Sequence, residues 1–406
     1  MRVVLSTYGS RGDTEPMAAL AVALKSLGAD AVVSAPGDQE LVDLLARAGV
    51  QLAPAFMPVR EWIAWARQSG LGIPGFAKVM VPVQYDAIDA AAVGCDAIVS
   101  TGLFPSAAAA QCVAEKRGLH YEHVAFCPLF LPSHHHRPFP RPGYPLPPDV
   151  TDPRALWELN AQHMNATFSE AVNAQRVSIG LPALDNVRDH ISTDHPFLAS
   201  DPVLWPWEPT ELCHPVQTGA WILPDERSLP ADLEAFLNAG DPPVYVGFGS
   251  IAVEKAKDIA QAAITSIRAL GRRAVLARGW ADMALIDEQK DCFLVGEVNQ
   301  QALFRHCAVV VHHGGAGTTV TATRAGSPQV IVPQIVDQPY WAARVAALSI
   351  GVAHDGPTPT FESLSAALKA ALKPEIRARA SAVASTIRTD GAMVAAKLLI
   401  ERIEGR

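Results

Sequence analysis

The chain has 406 residues, 49% of them hydrophobic and only 18% charged, which suits two or three packed domains and excludes a disordered chain. A formal net charge of −8 leaves no basic footprint for nucleic acid, although an anionic ligand can still be held by backbone N–H groups at helix N-termini. No run approaches the roughly 18 apolar residues of a membrane-spanning helix, and Met1–Thr7 is too short for a signal peptide.

Six cysteines (Cys95, Cys112, Cys127, Cys213, Cys292, Cys307) are scattered without a C-x-x-C pair. They read as free thiols of a reduced, cytoplasmic protein.

Arg2–Thr7 is a short apolar strand running into the glycine-rich stretch Tyr8–Pro16, expected as a turn. Met17–Leu27 is apolar at helical spacing and is closed by Gly28. Ala31–Ala35 reads as a strand, Glu40–Ala48 as a helix stopped by Gly49, and Ala97–Ser100 as a buried strand before an alanine-rich helix. Pro128–Pro153 is too rich in proline for helix or central strand and is expected as a long loop of the kind that binds or covers ligands.

The pattern restarts at Val244–Gly247, a strand leading into Gly247-Phe248-Gly249-Ser250 and a helix near Lys257–Leu270. Strands follow at Arg273–Leu276, Cys292–Val295, Val309–His312 and Val330–Val332. Two strand–helix arrays, each opening on a glycine-rich turn, predict an α/β protein of two Rossmann-like doubly wound parallel sheets. The expected division is 1–215, a linker at 216–243, 244–379, and a C-terminal helix over 380–406 that crosses back to the first domain.

The strongest motif is His312-His313-Gly314-Gly315-Ala316-Gly317-Thr318-Thr319, after a strand and before a helix. Glycines let the backbone approach a phosphate, the helix N-terminus offers free N–H donors, and His313 and Thr318 add side-chain donors. Simple capping by threonine explains less of it. Asp337 and Gln338 sit together beyond the carboxyl end of a strand, where paired acceptor groups suit the hydroxyls of a sugar; an ordinary helix N-cap by Asp337 is the lesser, competing account. In the first half, Ser10-Arg11-Gly12-Asp13 follows a strand, which places Asp13 as a general base on a loop. An Asp N-cap paired with Arg11 is the competing account, and both can hold.

Gly247–Ser250 and Arg278-Gly279-Trp280 are weaker signals, and no G-x-G-x-x-G fingerprint stands at a strand–helix junction, so redox-cofactor chemistry loses its main support. The run His134-His135-His136 cannot turn all three rings on one ion and reads as a polar loop, with acceptor contact more apt than metal. No two Asp residues flank a single residue anywhere in the chain, so the Asp-x-Asp element of many metal-dependent sugar transferases is missing from the sequence.

At these residues, and at Val216–Arg227, Val244–Ser250, Gly279–Asp282 and Gly296–Asn299, the chain resembles glycosyltransferase family 1, specifically the bacterial glycopeptide-antibiotic enzymes of vancomycin-type pathways. The resemblance spans nearly the whole chain and weakens at about Phe56–Gln84 and Leu129–Pro148, where acceptor selection is expected. It implies a GT-B fold, with two Rossmann-like domains facing across a cleft, and an inverting, metal-independent transfer. Carried over by position, Asp13 is the catalytic base, and Asp337 with Gln338 contacts the donor sugar, Asp337 also assisting catalysis. His313, Gly314, Gly315, Gly317 and Thr318 form the pyrophosphate site. Arg278, Trp280 and Val298 wall the nucleotide base, while Ser250, Ser10, Arg11 and Gly12 lie on the phosphate side.

The resemblance further implies a monomer with no bound cofactor, a glycopeptide aglycone or related natural product as acceptor, and a UDP-sugar donor. UDP-glucose or UDP-N-acetylglucosamine is favoured over dTDP-sugars on the strength of Gln338. A nucleotide-sugar epimerase of the same architecture and a non-catalytic natural-product-binding homologue are the alternatives. The aromatic, proline-rich Pro128–Pro153 loop and the intact Asp13 favour the transferase.

Overall fold

Continuous apolar strands need cover on both faces, and in this chain they get it from helices. The computed structural model describes residues 1–141, 143–249 and 256–405. They form two compact units: residues 1–200, 207–223 and 389–406 in the first, 201–206 and 224–388 in the second.

The first unit contains β1 (Arg2–Ser6), α1 (Arg11–Ser26), β2 (Asp30–Ala35), α2 (Gln39–Arg47), β3 (Gln51–Pro54), α3 (Val59–Ser69), α4 (Ile73–Ala91), β4 (Ala97–Ser100), α5 (Phe104–Arg117), β5 (His120–Ala125), α6 (Pro153–Ser178), α7 (Val187–Ser192), β6 (Phe197–Leu198) and β7 (Val216–Gln217). Its seven strands are ordered β3-β2-β1-β4-β5-β6-β7. Every pairing is parallel. Alternation along β1 sends Val3 and Leu5 to one face, against Met17, Leu20 and Leu24 of α1, and Val4 to the other, against Ile88 of α4 and Val113 of α5.

The second unit contains α8 (Ala231–Asn238), β8 (Val244–Gly247), α9 (Ala256–Ala269), β9 (Ala274–Ala277), β10 (Cys292–Val295), α10 (Gln300–Leu303), β11 (Val309–His312), α11 (Ala316–Arg324), β12 (Gln329–Ile331), α12 (Gln338–Ala347), β13 (Gly351–Ala353), α13 (Phe361–Ala371) and α14 (Pro374–Ala384). Its six strands are ordered β10-β9-β8-β11-β12-β13, again all parallel. In each sheet the order reverses beside the first strand, between β1 and β4 and between β8 and β11. The carboxyl ends of such a pair form the crevice where doubly wound proteins hold ligands.

The last helix, α15 (Gly391–Glu404), belongs to the first unit and packs on α1 through Ala395, Ala396 and Leu399. Gly391 makes that seat, because a Cβ there would stand 2.5 Å from the Ala220 carbonyl oxygen.

The observed divisions differ in place from those expected. Residues 216–223 sit with the first unit and 224–243 with the second, and the short excursion 201–206 also belongs to the second. The single C-terminal helix expected over 380–406 is instead the end of α14 and a separate last helix, with a break over 385–390. The turn read over Tyr8–Pro16 ends early: α1 begins at Arg11, so Asp13 is the third helical residue and not a loop residue. Gly12 and Pro16 suggested a longer turn, yet Pro16 costs the helix only its bond to the Gly12 carbonyl.

Candidate functional site

The site residues of the second unit gather at the carboxyl ends of β8 and β11, adjacent strands in register at Gly247 and His312. Parallel pairing therefore brings two turns together, Phe248–Gly249 and His313–Gly317. The His313 ring lies between them. A Cβ on Gly249 (φ +59°) would meet its Cε1 at 3.0 Å, and one on Gly315 would meet its Nε2 at 2.5 Å. A third turn closes in, as the Trp280 N–H donates to the Gly249 carbonyl at 2.9 Å. Gly279 (φ +53°) has no room for a side chain over that same oxygen.

His313 is buried, and burial with His312 as neighbour pushes its pKa down to about 3, so the imidazole is neutral at physiological pH. Its Nδ1 is buried with no hydrogen-bond partner among the described residues. A buried ring nitrogen left in that state is where a ligand atom is expected. Beside it, Gly315 caps α11 without a side chain, and Thr319 is the first residue of that helix to bond back, to the Gly315 carbonyl at 2.9 Å. The N–H groups of Ala316, Gly317 and Thr318 are thus open at the positive end of the helix.

His312 serves as scaffold. Its Nδ1 accepts from the Gly314 N–H at 3.1 Å, which places the proton on Nε2, 2.9 Å from Gln329 Oε1. Gln329 Nε2 then donates to Thr323 Oγ1, and that hydroxyl to the Thr319 carbonyl. This buried chain fixes the turn to the helix behind it, and only a neutral His312 can close it. Burial supplies that condition by pushing the pKa down to about 4.

Asp337 precedes α12 at its N-cap position but does not cap with its side chain; Oδ2 accepts instead from Trp341 Nε1 at 2.8 Å. The carboxyl is only partly covered by neighbouring atoms, yet desolvation raises its pKa against the opposing bond from Trp341. Gln338 is buried, and its Oε1 accepts from the N–H groups of Gln334 at 2.8 Å and Ile335 at 3.0 Å. The amide oxygen therefore shapes the loop, and the NH₂ is what it can offer a ligand. Val336, with φ +56°, and Ile335, 54% exposed, form the rim beside it. Nothing in the sequence pattern signalled that rim.

Of the remaining donor-side residues, Arg278 is exposed and faces Asp282 at 3.5 Å. Val298 packs its side chain into the core with Val275, Val295 and Phe304, so toward a ligand it has only backbone to offer. Ser250 lies outside the described residues.

In the first unit, Ser10 holds the N-cap position of α1, with the Asp13 and Thr14 N–H groups donating to its carbonyl. The Asp13 carboxylate lies over Gly9, where a Cβ would collide with it. Arg11 Nε donates to Glu15 Oε2 at 2.6 Å. Gly12 is exposed at the helix start. Tyr8, just before this turn, is buried against Trp62 and Met80, with Phe56, Trp65 and Phe76 around them. Ring centroids in this cluster stand 5.1–6.2 Å apart. The turn with Asp13 is thus set beside an aromatic body built from α3 and α4.

Beneath it, Ser34, Ser6, Ser100 and His123 occupy one register row across β2, β1, β4 and β5. Among the described residues Ser6 Oγ, Ser34 Oγ, Ser100 Oγ, His123 Nδ1 and Gln84 Nε2 have no hydrogen-bond partner.

The histidine run is committed elsewhere. His134 Nδ1 is 2.9 Å from Thr210 Oγ1, His135 Nε2 is 3.0 Å from the Pro209 carbonyl, and His136 Nε2 is 3.1 Å from the Leu131 carbonyl. These rings tie the Pro128–Pro153 loop to residues 209–211 and to itself, so contact with an acceptor is not their evident use.

Comparison with known proteins decides the family. The chain is 53% identical over 405 residues to glycosyltransferase GtfE of Amycolatopsis orientalis, covering 99% of this chain and 98% of that one. It belongs to the glycopeptide-antibiotic glycosyltransferases of family 1. Two further proteins of the same organism match at the same coverage: a vancomycin aglycone glucosyltransferase at 51% and a dTDP-epi-vancosaminyltransferase at 50%. Residues 284–395 match the C-terminal domain of erythromycin biosynthesis protein CIII-like proteins. Among solved structures, the glycosyltransferase of kitacinnamycin aligns with a TM-score of 0.73 over 99% of this chain and 98% of that one, at 20% identity. The fold is GT-B and the protein is a glycosyltransferase. Among the described residues, no helix is long and apolar enough to cross a membrane.

Proposed function

We propose that this enzyme moves a hexose, glucose or N-acetylglucosamine, from a UDP-sugar to a hydroxyl of a glycopeptide aglycone, with inversion and without a metal ion. The observation that carries the reading is the His313 turn, in which a buried neutral imidazole with an unpartnered nitrogen stands beside the open N-terminus of α11. As the sugar leaves, negative charge grows on the diphosphate. N–H donors and a helix dipole fixed beforehand stabilise that charge without reorganising.

In this reading Asp13 takes the proton of the acceptor hydroxyl while its oxygen attacks the anomeric carbon from the face opposite the leaving diphosphate. A phenol, with a reference pKa of about 10, asks less of that base than an alkyl alcohol. The aromatic body of Tyr8, Trp62, Trp65 and Phe76 favours a flat, arene-rich acceptor such as a crosslinked peptide aglycone. Gln338, with its NH₂ left to offer, supports a hydroxyl-bearing hexose. The relatives do not choose the donor, since a glucosyltransferase and a dTDP-epi-vancosaminyltransferase match almost equally.

The test is a matrix of UDP- and dTDP-sugars against vancomycin- and teicoplanin-type aglycones, read by mass spectrometry. A gain of 162 or 203 mass units, about one hexosyl or N-acetylhexosaminyl group, with a UDP donor and lost in Asp13→Ala, supports the proposal. Transfer from dTDP-sugars alone would overturn the donor assignment. An epimerised UDP-N-acetylglucosamine, formed without acceptor, would establish the epimerase instead.

A further inference from the structure

Two His-Pro pairs, His195-Pro196 and His214-Pro215, enter adjacent parallel strands in step: β6 and β7 are in register at Phe197 and Val216, two residues after each histidine. Proline restricts the residue before it to extended backbone, so both histidines arrive in similar conformations. Asp194 stands between them. Its Oδ2 is 3.2 Å from His214 Nδ1 and 3.5 Å from His195 Nε2, and the three ligand atoms all lie within 4.8 Å of one another. With metal–nitrogen and metal–oxygen bonds of about 2.0–2.2 Å, the ligand atoms of a tetrahedral site lie roughly 3.3–3.5 Å apart. Two of the three edges, 3.2 and 3.5 Å, come within about 0.1 Å of that range.

The outer contacts suit the same use. His195 Nδ1 is 3.3 Å from the His214 carbonyl, and a carbonyl only accepts. With the proton on Nδ1 donated to that carbonyl, the Nε2 lone pair is left for a metal ion. A backbone carbonyl orienting a ligating imidazole in this way is the usual support of a histidine metal ligand. The His214 N–H donates to the Asp194 carbonyl at 2.8 Å, holding both segments in place. All three side chains are more than half exposed, so an ion can reach them and keep water at its remaining position.

We propose that Asp194, His195 and His214 form a site for a divalent transition metal, Zn²⁺ before the harder Mg²⁺ or Ca²⁺, because two imidazoles select the softer ion. The metal bridges the His214 Nδ1 and Asp194 Oδ2 atoms, which stand 3.2 Å apart. It lies at the amino ends of β6 and β7, whereas Asp13 follows the carboxyl end of β1 in the same parallel sheet, so it does not touch the reacting atoms. Its work is to staple β6 and β7, strands of two residues each, at the weak margin of the sheet.

The test uses the full-length chain stripped with chelator, titrated with Zn²⁺ against a chromophoric chelator, with Co²⁺ as a spectroscopic stand-in and the thermal midpoint as a second readout. One Zn²⁺ per chain, a raised midpoint, a tetrahedral Co²⁺ spectrum and at least a tenfold loss of affinity in H195A/H214A are expected. The H134A/H135A variant serves as control and keeps wild-type affinity. The proposal is overturned if no Zn²⁺ binds, if Mg²⁺ competes equally, or if H195A/H214A binds like the wild type.

Discussion

The backbone of Gly249 lies against the imidazole of His313, close enough that a single added carbon would stand 3.0 Å from Cε1. The first glycine turn of the unit therefore exists, in part, to let the second hold its histidine. Gly249→Ala is expected to displace the ring and to strain a φ of +59°. His313→Ala removes the ring itself. If each loses one hydrogen bond to a charged diphosphate, about 1.5–3 kcal/mol, kcat/KM for the donor falls roughly 10- to 150-fold. Calorimetric titration with UDP separates this from general damage: weaker UDP binding at an unchanged thermal midpoint is the expected pattern. Unaltered UDP affinity in both variants would remove His313 from the diphosphate site.

Asp13 is held at the start of a helix rather than on a flexible turn, with its carboxylate over Gly9. As a positioned base its removal should cost roughly 10²–10⁴-fold in turnover. In Asp13→Asn the shape is kept, so UDP binding should stay within about twofold while kcat collapses. Wild-type turnover in that variant would show that another group takes the acceptor proton.

The sheets and the glycine-rich turn after β11 were legible because they rest on local signals: apolar runs for β1, β4, β8 and β11, and glycines where the chain turns. The short strands β6 and β7 were not, since Phe197–Leu198 and Val216–Gln217 have no periodicity to detect and pair only because other elements bring them together. The setting of Asp13 was misread, because Gly12 and Pro16 argue for a turn while tertiary packing of Met17, Leu20 and Leu24 carries the helix through them. The partnership of His313 with Gly249 joins residues 64 positions apart, as parallel pairing of β8 with β11 dictates, and no window of sequence contains it. His134–His136 drew attention by composition alone, which could not reveal that neighbouring carbonyls and a hydroxyl occupy their ring nitrogens.

Both units should be sensitive to acid through buried histidines. In the His313 turn, His312 is pushed down to about 4 and His313 to about 3, and in the first unit His123 is pushed down to about 4, burial being the first cause in each, against an ordinary value of 6.5. A depressed histidine takes up its proton more readily in the unfolded chain. Its contribution to stability is therefore full above about pH 6.5 and is lost as pH falls toward the folded-state value. Each such histidine costs up to about 1.4 kcal/mol per pH unit within that window. Urea midpoints should hold from pH 7.5 to about 6.5 and fall from there to 5.0. A flat or rising profile would mean that these rings are hydrated in solution and that the His312–Gln329–Thr323 chain is not closed.

Gln338 offers a way to separate the building of the sugar site from its use. Its Oε1 holds the Gln334 and Ile335 N–H groups, while its NH₂ is the part left for a ligand. Gln338→Glu keeps an acceptor oxygen for the Gln334 and Ile335 N–H groups and so preserves the loop, but it replaces the NH₂ donor by a charged acceptor. Gln338→Leu keeps the volume and abandons both N–H groups, a cost of about 1–3 kcal/mol in stability. If the amide binds the donor sugar, both variants lose affinity for the nucleotide-sugar but only Gln338→Leu loses thermal stability, and binding of UDP without its sugar is spared in Gln338→Glu. If the residue is only a loop anchor, Gln338→Glu retains wild-type KM for the donor. The comparison of UDP with UDP-sugar affinities across the two variants distinguishes the two roles, because a loop that has come loose weakens both ligands together while a missing hydrogen bond to the hexose weakens one.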